Sequence, residues 1–350
     1  VEIWLKYGRT EVFADFGGER LQIFETQPVK ADFTNTIESA ADTISDSSPV
    51  EILVDYVSGV EGFSELVVTL ISKLLDKRID PRGVKVKVSG WRYGHQQVEE
   101  IITSELAQAV KRLAVEVSPL GRDSSSDGFI LISPTIYWGG KITSPSKLCR
   151  SSVPVFTLSP AVGWGGAIVD LFAGEYREVE RRASEVVENS SKLAISPDVD
   201  ILVLGGPGYP TDHYLSTTIH LASALSDDLE GLAVIIPWEC SGGLGPKDFI
   251  QSLTGETEGD SSPYASWVRI WRAISTKNKV CLVTSLPSTI VEKLLNAKQA
   301  DTLDNALIYA RRLKSREANI VVLKGSLGTR LCLEKPRYGN EGEDQHSEHS

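Results

Sequence analysis

The sequence predicts an α/β protein of two domains, each with a mostly parallel sheet flanked by helices, and a short antiparallel meander at the N-terminus. Three observations carry this. Short apolar runs rich in valine, isoleucine and leucine (51–54, 201–204, 232–236, 280–284, 319–323) are too short for buried helices and read as strands buried on both faces. Between them lie segments whose apolar residues recur at spacings of three and four, the order of strand, helix and parallel strand. The turns after nearly every strand carry glycine, serine and aromatics, as ligand-facing loops at the carboxyl edge of a parallel sheet do.

In chain order, VEIWL, EVFADF and LQIF, separated by Tyr7-Gly8-Arg9 and Gly17-Gly18, predict two or three meander strands, and 37–44 a weak helix. Strands at 51–54, 84–88, 129–133 and 155–158 follow, with helices over 63–75 and 97–110, and a long charged helix over 174–190. The central unit runs from Asp200 to Phe249. Its first strand ends on Gly205; Thr211 or Asp212 caps a helix carrying Leu215, Ile219, Ala222 and Leu225, and a second strand leads through Gly242 to Pro246 into another helix. A polar loop (254–263), helices over 264–275, 288–295 and 302–313, and strands at 280–284 and 319–323 complete the pattern. At 350 residues the chain exceeds what one core usually supports, so the expected domains are 1–190 and 191–336, with 337–350 a disordered tail.

Composition narrows the functions. A formal charge of −11 and no basic stripe argue against nucleic acid or acidic lipid as partner and leave a small-molecule ligand. No apolar run is long enough to span a bilayer, and four cysteines without CxxC spacing predict reduced thiols and a cytoplasmic protein. Oligomeric state is not legible.

Six turns, at 55–59, 89–95, 134–141, 159–166, 205–212 and 237–243, gather along the carboxyl edges if the strands are parallel, bringing Trp91, Trp138, Trp164 and Trp238 with them. Those rings either offer stacking faces to a ligand or fill the crevice between domains. Gly206 and Gly208 begin a GxG, but Thr211 stands where a dinucleotide fingerprint has its third glycine. The turn suits instead an anion near the following helix start. Asp55 is placed to bond a ribose or other hydroxyl, Arg92 to bind a carboxylate or phosphate, and Lys141 after Gly139-Gly140 to hold an anion or anchor a cofactor. Of five histidines two lie in the tail, and His213 and His220, seven apart on one predicted helix, are about 10 Å from each other, too far for one metal. No metal site is predicted.

The order of motifs 200–224, 231–249, 302–312 and 319–331 resembles the C-terminal domain of the nickel-dependent lactate racemase family, the element Gly208-Tyr209-Pro210-Thr211-Asp212 being its most specific part. Tyr7-Gly8-Arg9, Asp55 and Gly90-Trp91-Arg92 match more loosely. The resemblance implies a Rossmann-like two-domain fold, a nickel pincer nucleotide in the cleft, and interconversion of 2-hydroxy acid enantiomers. It implies cofactor contacts at Asp55, Gly139, Gly140, Lys141, Gly206, Gly208, Tyr209 and Asp212. The family's general-base histidine falls on Arg92, its helix tyrosine and lysine fall on Ser216 and His220, and no histidine stands between His95 and His213. Arginine cannot act as a base at neutral pH. Two expectations follow: a racemase or epimerase in which Arg92 binds the substrate carboxylate and His213 is the base, or a non-catalytic paralogue or subunit that has lost the nickel-cofactor site and binds a small anionic or nucleotide-like ligand.

Overall fold

The computed structural model describes residues 1–17, 20–26, 32–44, 50–77, 79–90, 96–120, 129–143, 156–225, 228–256, 262 and 264–334. Strands β1 (Glu2–Tyr7) and β2 (Thr10–Asp15) pair antiparallel around Gly8, which takes φ +55°. The expected third meander strand goes elsewhere. β3 (Leu21–Phe24) runs parallel to a strand nearly three hundred residues later, with Leu21 opposite Ile320 and Phe24 opposite Leu323.

After α1 (Thr34–Ile44) the first sheet begins with β4 (Val50–Asp55), α2 (Phe63–Asp76), β5 (Val84–Ser89), α3 (Gln96–Val110) and β6 (Glu116–Pro119). It continues through β7 (Ile130–Ile132), β8 (Thr135–Trp138), β9 (Lys141–Thr143), β10 (Phe156–Val162) and β11 (Ile168–Gly174). The strand order is β6-β5-β4-β7-β10-β8-β9, with β11 on β10. The central strands are parallel, whereas β9 and β11 are antiparallel additions that the sequence pattern missed, each a return after a glycine turn.

Helix α4 (Tyr176–Ser190) carries the chain to β12 (Lys192–Ile195) and the second sheet. There β13 (Ile201–Leu204), α5 (Leu215–Thr218), β14 (Ala233–Pro237), α6 (Lys247–Thr254), α7 (Ala265–Lys277), β15 (Lys279–Val283), α8 (Ser288–Leu294), β16 (Lys298–Ala300), α9 (Leu303–Leu313) and β17 (Ile320–Leu323) follow, and β18 (Arg330–Leu333) returns to pair parallel with β12 in a separate two-stranded sheet. Six strands in the order β16-β15-β14-β13-β17-β3 are all parallel. Side chains alternate faces along a strand. Ile201 and Val203 therefore pack with Ile3, Leu5 and Phe16 of the N-terminal hairpin and with α9, while Leu202 and Leu204 join a core continuous with the first sheet. Strands β1, β2 and β3 thus lie with the second sheet, and the 337–350 tail falls outside the described residues.

The segment after β13 is not the capped helix its apolar spacing predicts. Thr211–His213 is a 3-10 turn, α5 is one turn of α-helix, and Ile219–Ala224 is again 3-10, without side-chain capping bonds. Every residue from Tyr214 to Leu225 is buried, so no polar face exists to make an amphipathic helix. The Thr217 hydroxyl also bonds the carbonyls of Thr211 and Tyr214, drawing the backbone from the α-helical ladder. Among the described residues no helix is long and apolar enough to cross a membrane.

Candidate functional site

Backbone contacts at the carboxyl edge of β13 fix the shape of the site. Gly205 N–H donates to Leu323 O and Gly205 O accepts from Ser326 N–H, both at 2.8 Å, and a Cβ on Gly205 would stand 2.5 Å from Lys324 O. Only glycine fits so close a backbone approach. Three residues on, Gly208 takes φ +79° and the chain doubles against the β1–β2 turn, where Tyr209 N–H donates to Gly8 O at 2.8 Å. The Tyr209–Pro210 peptide is cis.

Asp212 closes this contact from the other side: its Oδ2 accepts from Gly8 N–H at 2.7 Å. Burial pushes the Asp212 carboxyl up, against the N–H bonds from Gly8 and Glu239 that favour its charge, and the nearby Glu239 charge also raises it. Cys240 N–H donates to Asp212 O and Gly242 N–H to His213 O, each at 2.8 Å. Turns 7–9, 208–213 and 239–242, far apart in sequence, are thereby stitched into one surface.

On that surface His213 Nδ1 lies 3.0 Å from Ser241 Oγ, and Ser241 Oγ donates to Glu239 Oε2 at 3.0 Å. A carboxylate only accepts, so the single hydroxyl proton points at Glu239 and the serine oxygen accepts from the imidazole. Nδ1 therefore carries a proton, which in the neutral ring leaves the lone pair on Nε2. The Arg9 guanidinium sits 4.1 Å over the Tyr209 ring, whose edge meets His213 at 5.7 Å. Burial first, with the nearby Glu239 and Asp212 carboxyls adding, raises the Tyr7 hydroxyl to about 12, so it stays a proton donor at neutral pH. Tyr214 reaches across to the first sheet's unit and donates to Gln97 of α3.

Beside this surface the two sheets meet carboxyl edge to carboxyl edge around a cavity of about 390 Å³. Gly59, Gly165, Gly206 and Gly325 line it, from the turns after β4, β10, β13 and β17, with Lys6 and the Lys324–Glu25 pair at 3.0 Å. A Cβ on Gly59 (φ +87°) would lie 2.4 Å from Pro207 Cβ, which is why the turns close so tightly.

The sequence-derived candidates divide. Gly206, Gly208, Tyr209, Asp212 and His213 come together in these two adjoining places. Asp55 is fully buried at the end of β4 and accepts from Ser133 Oγ at 2.7 Å. Residues 134–141 are not a turn at an edge: Gly139 and Gly140, at φ +58° and +89°, make the two-residue turn of the β8–β9 hairpin, the conformation such a turn requires. A Cβ on Gly139 would lie 2.4 Å from Trp267 Nε1, so the pair also lets the hairpin press on α7, and Lys141 is exposed on β9. His220 does not share a helix face with His213; it is buried and stacked on Trp138 with ring centroids 3.7 Å apart, with Trp267 at 5.5 Å. Trp138 and Trp238 are buried in the core and act as filling rather than as open stacking faces. Trp91, Arg92 and His95 lie outside the described residues. Sequence reasoning missed Arg9, Glu239 and Ser241 as site residues; Cys240, between the last two, takes φ +52°, a left-handed turn at a non-glycine residue that the local sequence does not announce. Among the described residues no group of three or more His, Cys, Asp or Glu is placed to hold a metal.

Comparison with solved structures finds the same fold in the lactate racemase apoprotein from Thermoanaerobacterium thermosaccharolyticum, with TM-score 0.64 and 15% identity over 95% of this chain and 100% of that one. A protein of Thermotoga maritima matches with TM-score 0.57 and 12% identity over 86% and 98%. No family model and no curated protein sequence matches the chain.

Proposed function

We propose that this chain, which shares the fold of a lactate racemase apoprotein, binds a small anionic or nucleotide-like ligand at the joined carboxyl edges and does not carry the nickel pincer nucleotide. The observation behind this reading is the convergence of Arg9, Tyr209, His213 and the 239–242 turn on one exposed surface. Arg9 supplies a planar cation for a carboxylate or phosphate, and His213 Nε2 an acceptor for a ligand hydroxyl. Arg92, four residues ahead of α3 in sequence, is proposed as a second cation for the same anion, and the glycine-lined cavity beside Gly206 as room for the rest of the ligand.

The residues present do not fit the pincer nucleotide. Lys141, proposed from sequence as its anchor, is neither in the glycine-lined cavity nor beside His213. His220, at the position of the family's helix lysine, is occupied in an aromatic stack. A second reading, isomerisation of a 2-hydroxy acid with His213 as base, has one observation in its favour, the Glu239–Ser241–His213 chain that leaves the lone pair on Nε2.

The test co-expresses the full chain with the machinery that makes the nickel cofactor, then measures nickel, intact mass and interconversion of lactate and malate enantiomers, and titrates the same anions calorimetrically. The reading expects no nickel, no added mass, and saturable anion binding that Arg9→Gln weakens at least about tenfold, the equivalent of one lost charge-assisted bond. A nickel-bearing adduct on Lys141 would overturn it.

A further inference from the structure

A second cavity, of about 350 Å³, lies at the amino edge of the second sheet, the end of the strands opposite the His213 surface. From the structure we infer that it is a binding site for a phosphoryl dianion, free or carried as a monoester on a small polar body. It shares no residue with the cleft at the carboxyl edges.

Three stretches of chain meet there. β2 runs out through Phe16 and Gly17, β3 begins after Arg20, and the turn between α9 and β17 brings Arg316, Glu317 and Ala318. Ile320 N–H donates to Arg20 O at 2.9 Å where the β17–β3 pairing starts, so the sheet itself holds Arg20 at the rim. From the last turn of α9, Arg311 Nη2 donates to the carbonyls of Phe16 and of Gly17, the latter at 2.8 Å, which pins the end of β2 to the helix. Phe16, Ala318 and Ile320, all buried, form the floor.

The cations of this cavity lack counter-charge. Arg20, Arg311 and Arg316 share it with one carboxylate, Glu317, and among the described residues none of the four makes an ion pair. Arg20 and Arg316 are exposed and their side chains have no hydrogen-bond partner there either. Arg311 spends its Nη2 on two neutral carbonyls, while its Nε–H is shielded from water and meets no acceptor. Asp15 is near enough to Arg311 for their charges to interact, but its carboxylate already accepts from the Val1 amine at 2.8 Å and from Gly17 N–H at 3.0 Å. A shielded N–H donor left unpaired is costly, and like charges gathered on one cavity concentrate ligands of the opposite sign.

Three guanidinium groups and one carboxylate leave two positive charges, in a chain whose formal charge is −11. A phosphoryl dianion matches that excess and offers three oxygens to the planar forks that guanidinium groups present. A monocarboxylate brings half the charge. The volume falls in the range of small-molecule sites and leaves room for a small esterified body.

The experiment titrates the full chain calorimetrically, as native protein and as Arg9→Gln so that the His213 surface does not contribute. The probes are glycerol 3-phosphate, inorganic phosphate and dimethyl phosphate at about pH 8, where the first two are dianions and the third a monoanion. One saturable dianion site is expected in Arg9→Gln as in the native chain, at least about tenfold tighter than for dimethyl phosphate. Tighter binding of glycerol 3-phosphate supports the site as one for esters, and tighter binding of inorganic phosphate supports it as one for the free ion. Arg20→Gln with Arg316→Gln, both exposed positions, is expected to weaken the dianion at least about tenfold, while circular dichroism verifies that the variant is folded. No saturable dianion binding in Arg9→Gln, equal affinity for dimethyl phosphate, or undiminished binding in the folded double variant would each overturn the proposal.

Discussion

Replacing Ser241 by alanine tests the geometry of the His213 surface without touching the fold, because Ser241 is exposed. In the native chain the hydroxyl links Nδ1 to the Glu239 carboxylate over two contacts of 3.0 Å. A net hydrogen bond contributes about 1 kcal/mol and an exposed one linked to a charge no more than that, so losing it shifts the tautomer ratio of the neutral ring about fivefold away from Nδ1–H. Ser241→Thr keeps the hydroxyl and is expected to retain the native ratio. Glu239→Gln is expected to shift it as alanine does, since an amide can donate to Ser241 and free the hydroxyl proton for Nδ1. The assay is a long-range proton–nitrogen correlation on protein labelled at histidine, with the ring nitrogens of His213 identified by their loss in His213→Gln. Native protein found with His213 mainly as Nε2–H, or an unchanged ratio in Ser241→Ala, would refute the reasoning.

Three further outcomes follow from the same contacts. Gly205→Ala forces a methyl onto Lys324 O and costs both 2.8 Å backbone bonds of Gly205; overpacking of about 1–3 kcal/mol and two bonds of about 1 kcal/mol each predict a loss of about 3–5 kcal/mol, read from urea unfolding, and a loss under about 1 kcal/mol would contradict the close approach. Asp212 is raised in the folded state by burial, so its contribution favours the fold below the unfolded-state value near pH 4 and is lost as pH rises through the folded-state value. Asp212→Asn, which does not ionise and keeps an acceptor for Gly8, is expected to flatten the fall in urea midpoint with rising pH above about 4; an unchanged slope would show that the carboxyl is not desolvated. Trp138→Ala removes a buried ring and the partner of His220 and is expected to cost about 3–5 kcal/mol by the same measurement, against less than about 1 kcal/mol if the stack is loose.

The apolar runs made both parallel sheets legible because a strand buried on two faces leaves a signal within four or five residues, as Ile201 to Leu204 does. What stayed hidden depends on partners distant in sequence. LQIF has the length and β-branching of a meander strand, and only the free edge of β17 decides that it runs parallel there. The spacing of Leu215, Ile219, Ala222 and Leu225 is that of an amphipathic helix, yet burial on every side removes the polar face and the segment winds as 3-10 and a single α turn. In the site, Asp212 was legible as a residue but its bond to Gly8 was not, since nothing local in Tyr7-Gly8-Arg9 announces a carboxylate more than two hundred residues on.

The distribution of buried aromatics also bears on how the proposed ligand would reach the cleft. Separating the two sheets would expose Trp138, His220 and Tyr214, all at most 9% exposed, and would break the Tyr214 bond to Gln97. Each large side chain returned to water costs roughly 1.5–3 kcal/mol, before the hydrogen bond is counted, so wide opening of this junction is a minor state. Arg9 and the Ser241 hydroxyl are already exposed, and His213 is half-buried beside them. Entry of the proposed ligand over the Arg9–Tyr209 edge would therefore need only side-chain rearrangement, and its association is expected to be fast and to slow with added salt as the Arg9 charge is screened. If binding instead required the sheets to part, Trp138 fluorescence would change with ligand at a rate that saturates with ligand concentration, and the Trp138→Ala variant would bind faster than native.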